Sequence, residues 1–453
     1  MDIWTRIVTW KLPLFQLVSQ FPRPPLGFAV ESAIIAHLLG DPVDSVMSML
    51  LTLSMCQSRA ALAKETCVAA NVELIDEEYE RTWKGLAIIL VSYDECGKSE
   101  EVAELCEEYL RLSRHPNFEG EIRHIYEETA SKLAADRQTR SLPVFIAELL
   151  FIGGWLIALL RAASSEPSPT NWPQVEAHSI AFSGLYLWVT SAVVAGSVIG
   201  ASQTEGSIPR MLHGFEYQLK EFRGEAPARR PSACYREETG WCKTGQERAI
   251  HGGVYSWRPI KWRDNLEMFG IGIWSLVSFV AIAVAVLYAS YFPAAILSYF
   301  VPPRGLGCRH IPETLMLVVW LLSFAIECLL ERWLQKKKLF WAVFWKDVLL
   351  ALTNISIIII TQCGILQRCS CWTAWGLTWL HLPQLPNVKP ELMHYIRHIA
   401  PAITFTAILF QFVFCAAIVW RYWDAVRVFI QRDDGISNLP LKYQKLESRR
   451  QSK

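Results

Sequence analysis

Phe269–Tyr288 reads FGIGIWSLVSFVAIAVAVLY, an uncharged run of 20 residues. At a helical rise of about 1.5 Å per residue, such a run crosses roughly 30 Å of hydrocarbon. Five more apolar runs share its character: Leu142–Leu160, Ser179–Ala201, Thr314–Leu330, Val348–Leu366 and Ile399–Trp420. Thr314–Leu330 is the shortest at 17 residues, and extending it back through His310–Glu313 means burying polar groups. Bulk averages conceal these runs. A net charge of +1, 19% charged residues and a mean hydropathy of +0.21 resemble a slightly apolar soluble protein, because residues 1–140 are charged and mixed. Six runs of this length in one chain favour a membrane bundle over buried core helices.

The basic residues between the runs alternate. Lys132, Arg137 and Arg140 precede the first run, and only Arg161 follows it. The second gap holds eleven, from Arg210 to Arg263; the third holds Arg304 and Arg309. The fourth has Arg332, Lys336, Lys337, Lys338 and Lys346, the fifth has Arg368, Lys389 and Arg397, and the tail has eight from Arg421 to Lys453. Cytoplasmic loops carry the excess of Lys and Arg. The pattern therefore predicts a multi-pass membrane protein with both termini, loop 202–263 and the fourth gap in the cytosol; it does not indicate an organelle. Met1–Phe21 has Arg6 and Lys11 inside its apolar run, unlike a secretory signal, and reads as a surface-lying or domain-packed segment.

The expected fold class is all-α. Residues 1–140 read as a helical cytosolic domain, residues 141–431 as the six-span membrane domain, and residues 432–453 as a disordered tail. Gly40-Asp41-Pro42 ends one helix and starts the next, with Asp41 as cap and Pro42 at the first helical position. The stretch from there to Lys64 is apolar along Val46, Leu50, Leu51, Leu53 and Met55, which predicts packing inside the domain. Glu73–Tyr93, Ser99–Leu112 and Glu119–Arg137 predict further helices with acidic first turns, and Met211–Phe222 a short amphipathic helix.

Polar side chains inside the spans are expensive in hydrocarbon and mark candidate sites. Glu148, Glu327, Asn354 and Gln411 lie in four different spans, and the predicted orientation puts all four toward the cytosolic half. They define a candidate intramembrane polar site, with Glu148 as the ion-responsive carboxylate. The competing structural readings are that Glu148 pairs with Lys346, that Glu327 snorkels beside Glu331 and Arg332, and that the amides hold helices together. Cys308, Cys369 and Cys371 fall in the predicted exoplasmic loops, where a disulfide can form. Ser232 follows Arg229-Arg230-Pro231 as a basophilic phosphorylation site. Cys234, Cys242 and His251 are spaced too widely for a tight zinc motif, so no metal is expected.

Phosphate loops of the G-x-x-x-x-G-K-[ST] type, H-E-x-x-H and G-x-S-x-G are all absent. The sequence therefore predicts no catalytic residues, no cofactor and no enzyme. Gln20-Phe21-Pro22-Arg23-Pro24-Pro25, followed by His37-Leu38-Leu39-Gly40-Asp41-Pro42, resembles the opening of uncharacterised multi-pass membrane proteins of filamentous fungi. That resemblance covers mainly the first sixty or so residues and implies no activity. The functional expectation is transport of a small solute or ion through the bundle. The alternative is a membrane-anchored scaffold whose N-terminal domain and loop 202–263 recruit cytosolic partners. The expected partners are the lipid bilayer and cytosolic proteins, and not nucleic acid.

Overall fold

The Gly40-Asp41-Pro42 break joins two helices, α1 (Phe28–Gly40) and α2 (Pro42–Ala69). Asp41 leaves the helical conformation, and its side chain accepts from the Asp44 amide at 3.1 Å, so the cap is the one the sequence predicts. The computed structural model describes residues 14, 16, 18–20, 28–70, 76–95, 101–114, 122–138, 141–164, 173–199, 201–202, 207–222, 271–301, 305–306, 310–334, 336–362, 390 and 393–429. Ser232, Cys308, Cys369 and Cys371 lie outside the described residues, as do Cys234, Cys242 and His251.

The described chain is all-helical apart from one two-residue antiparallel pairing of β1 (Arg137–Gln138) with β2 (Ala201–Ser202). After α2 come α3 (Asp76–Glu95), α4 (Glu101–Ser113), α5 (Arg123–Asp136) and α6 (Ser141–Ser164). A 3₁₀ turn, Gly184–Tyr186, joins α7 (Pro173–Ser183) to α8 (Leu187–Ile199), and α9 (Ser207–Phe222) follows. The remaining helices are α10 (Ile273–Phe300), α11 (His310–Trp333), α12 (Lys336–Gln362), α13 (Ala400–Arg421) and α14 (Trp423–Phe429). One π-helical turn, Tyr395–Ile399, leads into α13.

Seven described helical stretches are long and apolar enough to cross a membrane, where the sequence reading counts six. Six correspond to the expected spans with shifted ends: Pro143–Leu160, Ala177–Ser197, Ile273–Phe300, His310–Leu330, Trp341–Thr361 and Tyr395–Arg421. The seventh is Pro42–Ala69. Asp44 and Arg59 interrupt its apolar pattern, and this is why the sequence reading passed over it. Both are buried against partners, Asp44 at His37 and Arg59 in a bidentate pair with Asp94 at 2.7 and 3.0 Å. The shortest expected span also lengthens. It runs back through His310 and does bury Glu313, which accepts from Ser298 Oγ.

Three cores hold the described helices, the third lying where Trp155 and Leu159 of α6, Ala177 and Ile180 of α7 and Leu297 of α10 meet Tyr395 and Ala407. The first gathers Ile34 and Leu38 of α1, Val46 and Leu50 of α2, Trp188 of α8, Val286 and Leu287 of α10, Trp320 of α11 and Ile358 of α12. Trp188 meets Trp320 edge-on, ring centroids 6.0 Å apart. The second core joins the far half of α2 to α3, α4, α5, α9 and α14 through Cys67, Trp83, Tyr109, Tyr126, Phe215 and Val428. Helix α2 is thus shared, its first half inside the bundle and its second half in the other body. α9 extends the predicted amphipathic segment to Ser207, whose hydroxyl donates to Asp136 at 2.6 Å.

Outward faces follow the opposite rule. Phe145, Leu149 and Leu156 of α6, Leu322 and Leu329 of α11, Leu349 and Leu352 of α12, and Phe405 and Val413 of α13 are exposed. A contiguous apolar exterior on membrane-length helices is what a lipid environment allows and water penalises. The architecture is consistent with a multi-pass membrane protein.

Candidate functional site: an ionic cluster at the helix break

Helix α1 lies along α12, and its end meets that helix without a side chain between them. A Cβ on Gly40 would stand 2.8 Å from the Asp347 carbonyl oxygen, so only glycine permits this approach. Breaking a helix inside a bundle leaves backbone groups to satisfy. Asn354 supplies one partner: its Nδ2 donates to the Leu39 carbonyl at 2.8 Å.

The break brings six ionisable side chains together. His37 comes from α1, and Asp41 and Asp44 come from the cap and first turn of α2. Glu327 comes from α11, and Lys346 and Asp347 come from α12. All are buried, with the Lys346 side chain 7% exposed and Asp41 fully covered. Lys346 Nζ donates to Asp41 Oδ2 and to Glu327 Oε2, each at 2.8 Å, and lies 3.0 Å from Asp347 Oδ1. Ser323 Oγ donates to the same Asp41 oxygen at 2.8 Å. His37 bridges two acids, with Nδ1 2.7 Å from Asp347 Oδ2 and Nε2 3.0 Å from Asp44 Oδ2. Glu327 Oε2 lies 4.0 Å from His37 Nδ1, and Ser48 Oγ donates to Asp44 at 3.3 Å.

Charge decides what this arrangement can do. Among the described residues four carboxylates face one lysine and one histidine, so acids outnumber bases by two even with His37 protonated. An uncompensated buried ion costs several kcal/mol. Protonation, or a bound cation, would relieve such an excess.

The four polar residues singled out from sequence do not form one site. Glu327 and Asn354 belong to the helix break. Gln411 is elsewhere, accepting from Ser191 Oγ of α8 and donating to Ser290 Oγ of α10 at 3.2 Å, which ties α13 to both helices. Glu148 is buried on α6 beside the Thr190 hydroxyl of α8, away from the helix break. Lys346, weighed as a partner for Glu148, contacts Asp41, Glu327 and Asp347. Glu327 is buried in the lysine pair instead of reaching outward beside Arg332. A third polar contact, Glu313 with Ser298 Oγ and His178 Nε2 at 3.9 Å, joins the ends of α10 and α11 to α7.

Sequence reasoning missed His37, Asp41, Asp44 and Asp347 as site residues. A usable signal existed: Asp41, Asp44 and Ser48 recur at one helical face within an apolar run that offers no nearby cation. The chain matches no family model, no curated protein and no solved structure.

Proposed function

We propose that the helix bundle moves a small solute or ion across the membrane, with the α1–α2 break as its proton- or cation-linked element. The observation that carries this reading is the acidic excess buried at the break. Ionisable groups facing a bundle interior mark ion pathways, and interrupted helices supply binding sites in many transporters. In this reading α1 and α2 form a re-entrant pair that enters and leaves on one side. The second half of α2 belongs to the other body, where Lys64 pairs with Asp424 at 2.7 Å. Six crossings and two cytosolic termini, as the basic residues indicate, are then compatible with seven apolar helices.

Proteoliposomes test the proposal. The purified full chain is reconstituted with an internal pH-sensitive dye, and a proton gradient is imposed with and without gradients of K⁺, Na⁺ or Zn²⁺. Flux above that of protein-free vesicles, lost in Glu327→Gln, is the expected result. Flux equal to protein-free vesicles under every gradient overturns it.

The scaffold reading draws on a different observation. Helix α9, the described part of loop 202–263, docks on α5 through buried Phe215 and Leu219, so α9 and the N-terminal helices share one body. Absence of flux in the same vesicles favours this alternative.

A further inference from the structure

The cluster's geometry also names a ligand. We infer that His37, Glu327 and Asp347 bind a divalent transition-metal ion at the α1–α2 break. The inference rests on reading the cluster as cation-responsive, and it is tested by binding alone, without flux.

Three helices each contribute one donor atom, and His37 Nδ1 and the two carboxylate oxygens all lie within 4.8 Å of one another. Ligand atoms about 2.1 Å from one tetrahedral ion stand roughly 3.4 Å apart. The separations of 2.7 Å (His37 Nδ1 to Asp347 Oδ2) and 4.0 Å (His37 Nδ1 to Glu327 Oε2) bracket that value.

The surroundings of His37 fit a ligand. A metal-bound imidazole usually donates its other ring N–H to a carboxylate, which fixes the tautomer and orientation. His37 Nε2 has that partner in Asp44 Oδ2 at 3.0 Å, and Asp44 is itself held by Ser48 Oγ and by the cap at Asp41. A proton on Nε2 leaves the Nδ1 lone pair facing Glu327 and Asp347.

Charge and donor type narrow the ion. With His37 neutral, four carboxylates and Lys346 leave three negative charges, and a divalent ion removes two of them. Lys346 keeps Asp41 and the Ser323 carbonyl, the latter at 3.4 Å, as acceptors. One imidazole with two carboxylates suits Zn²⁺, Mn²⁺, Fe²⁺ or Co²⁺ better than Mg²⁺ or Ca²⁺, which favour all-oxygen shells. Three protein ligands leave a coordination position for exchange.

The experiment titrates Co²⁺ into the chelator-treated full chain in detergent and follows visible d–d absorption. One Co²⁺ per chain is expected, displaced by Zn²⁺ and not by equal Mg²⁺. His37→Gln removes the absorption, and Asp44→Asn weakens binding by about tenfold or more, because it acts through the imidazole. Circular dichroism confirms the fold of each variant. Zn²⁺ also raises the thermal midpoint of the wild type and not of His37→Gln, a readout independent of the cobalt spectrum. Absence of Co²⁺ and Zn²⁺ binding by the wild type overturns the inference, as does wild-type affinity in folded His37→Gln. Metal binding without flux sinks the transport proposal alone, and flux without metal binding sinks this inference alone.

Discussion

Removing Lys346 and removing one of its carboxylate partners have unequal consequences if the helix break holds an excess of acid. In Lys346→Met, the ammonium is lost from 2.8, 2.8 and 3.0 Å contacts with Asp41, Glu327 and Asp347. At an effective dielectric constant of about 20, each contact carries a gross attraction of about 6 kcal/mol. Desolvation of the ammonium offsets most of that. The net expectation is a loss of about 3–5 kcal/mol, typical of leaving buried charge without its partner. Asp41→Asn removes one negative charge and keeps shape. Asparagine caps helices as well as aspartate does, so its oxygen still accepts from the Asp44 amide, while its Nδ2 replaces the oxygen that faces Ser323 and Lys346 and can donate to the Ser323 hydroxyl, leaving Lys346 with Glu327 and Asp347. Its expected cost is below about 1 kcal/mol, since a hydrogen bond to charge is exchanged for relief of repulsion.

Thermal unfolding in chelator-treated detergent, followed by intrinsic fluorescence, compares the two variants. Lys346→Met lowers the midpoint far more than Asp41→Asn, and the double variant recovers part of the loss because it removes a carboxylate along with the lysine. That recovery is the coupling a double-mutant cycle reads. Equal destabilisation by the two single variants, or simple additivity in the double, refutes the claim that the cluster is over-supplied with negative charge.

Gly40→Ala forces a methyl to within 2.8 Å of the Asp347 carbonyl and is expected to cost about 1–3 kcal/mol, whereas Gly153→Ala meets nothing within 4 Å and is neutral or gains up to about 1 kcal/mol; denaturant midpoints compare the pair. At the junction of α14 with α2, burial pushes the Asp424 carboxyl up, but Lys64 and Gln57 outweigh it and hold it below the usual carboxylate range. A depressed carboxyl stabilises the fold above its unfolded pKa of about 3.9 and ceases to do so as pH falls through the folded value. Asp424→Asn should therefore cost about 1 kcal/mol or less near pH 7, a cost that fades as pH falls below about 3.9 toward the lower folded value, measured as midpoint against pH. Epitope tags at the N-terminus, Thr170 and Gln384 test the re-entrant pair. Antibody should reach Thr170 and Gln384 from the exoplasmic side and the N-terminus only after the cytosolic face is opened.

Composition exposes whatever is apolar throughout, and so the outer helices α6 and α10–α13 are legible in sequence, with their ends displaced by up to twelve residues. Their exteriors are apolar and exposed, and every turn can carry Leu, Ile, Val or Phe. Helix α2 was not legible as a bundle element for the converse reason. It is an inner helix, its contacts are made with protein, and it tolerates Asp44, Ser45, Ser48 and Arg59 because each of them is buried. The cap at Asp41 was readable because Gly-Asp-Pro chemistry is local. Its pairing with Lys346 and Ser323 was not, since 305 and 282 residues separate them.

The same contrast bears on what the break is for. A continuous helix, with an ordinary residue in place of Pro42, would satisfy its own backbone and need neither the Asn354 amide nor a capping aspartate. A cap alone would need one acceptor, and Asp41 provides it. Nothing in helix termination requires His37 between Asp44 and Asp347, or Glu327 beside the same lysine. Buried ion networks of this kind are commonly no more stabilising than apolar residues of similar volume. The four carboxylates are therefore better explained by occupancy than by stability, as the residue of a site whose charge balances only when a proton or a cation is in it.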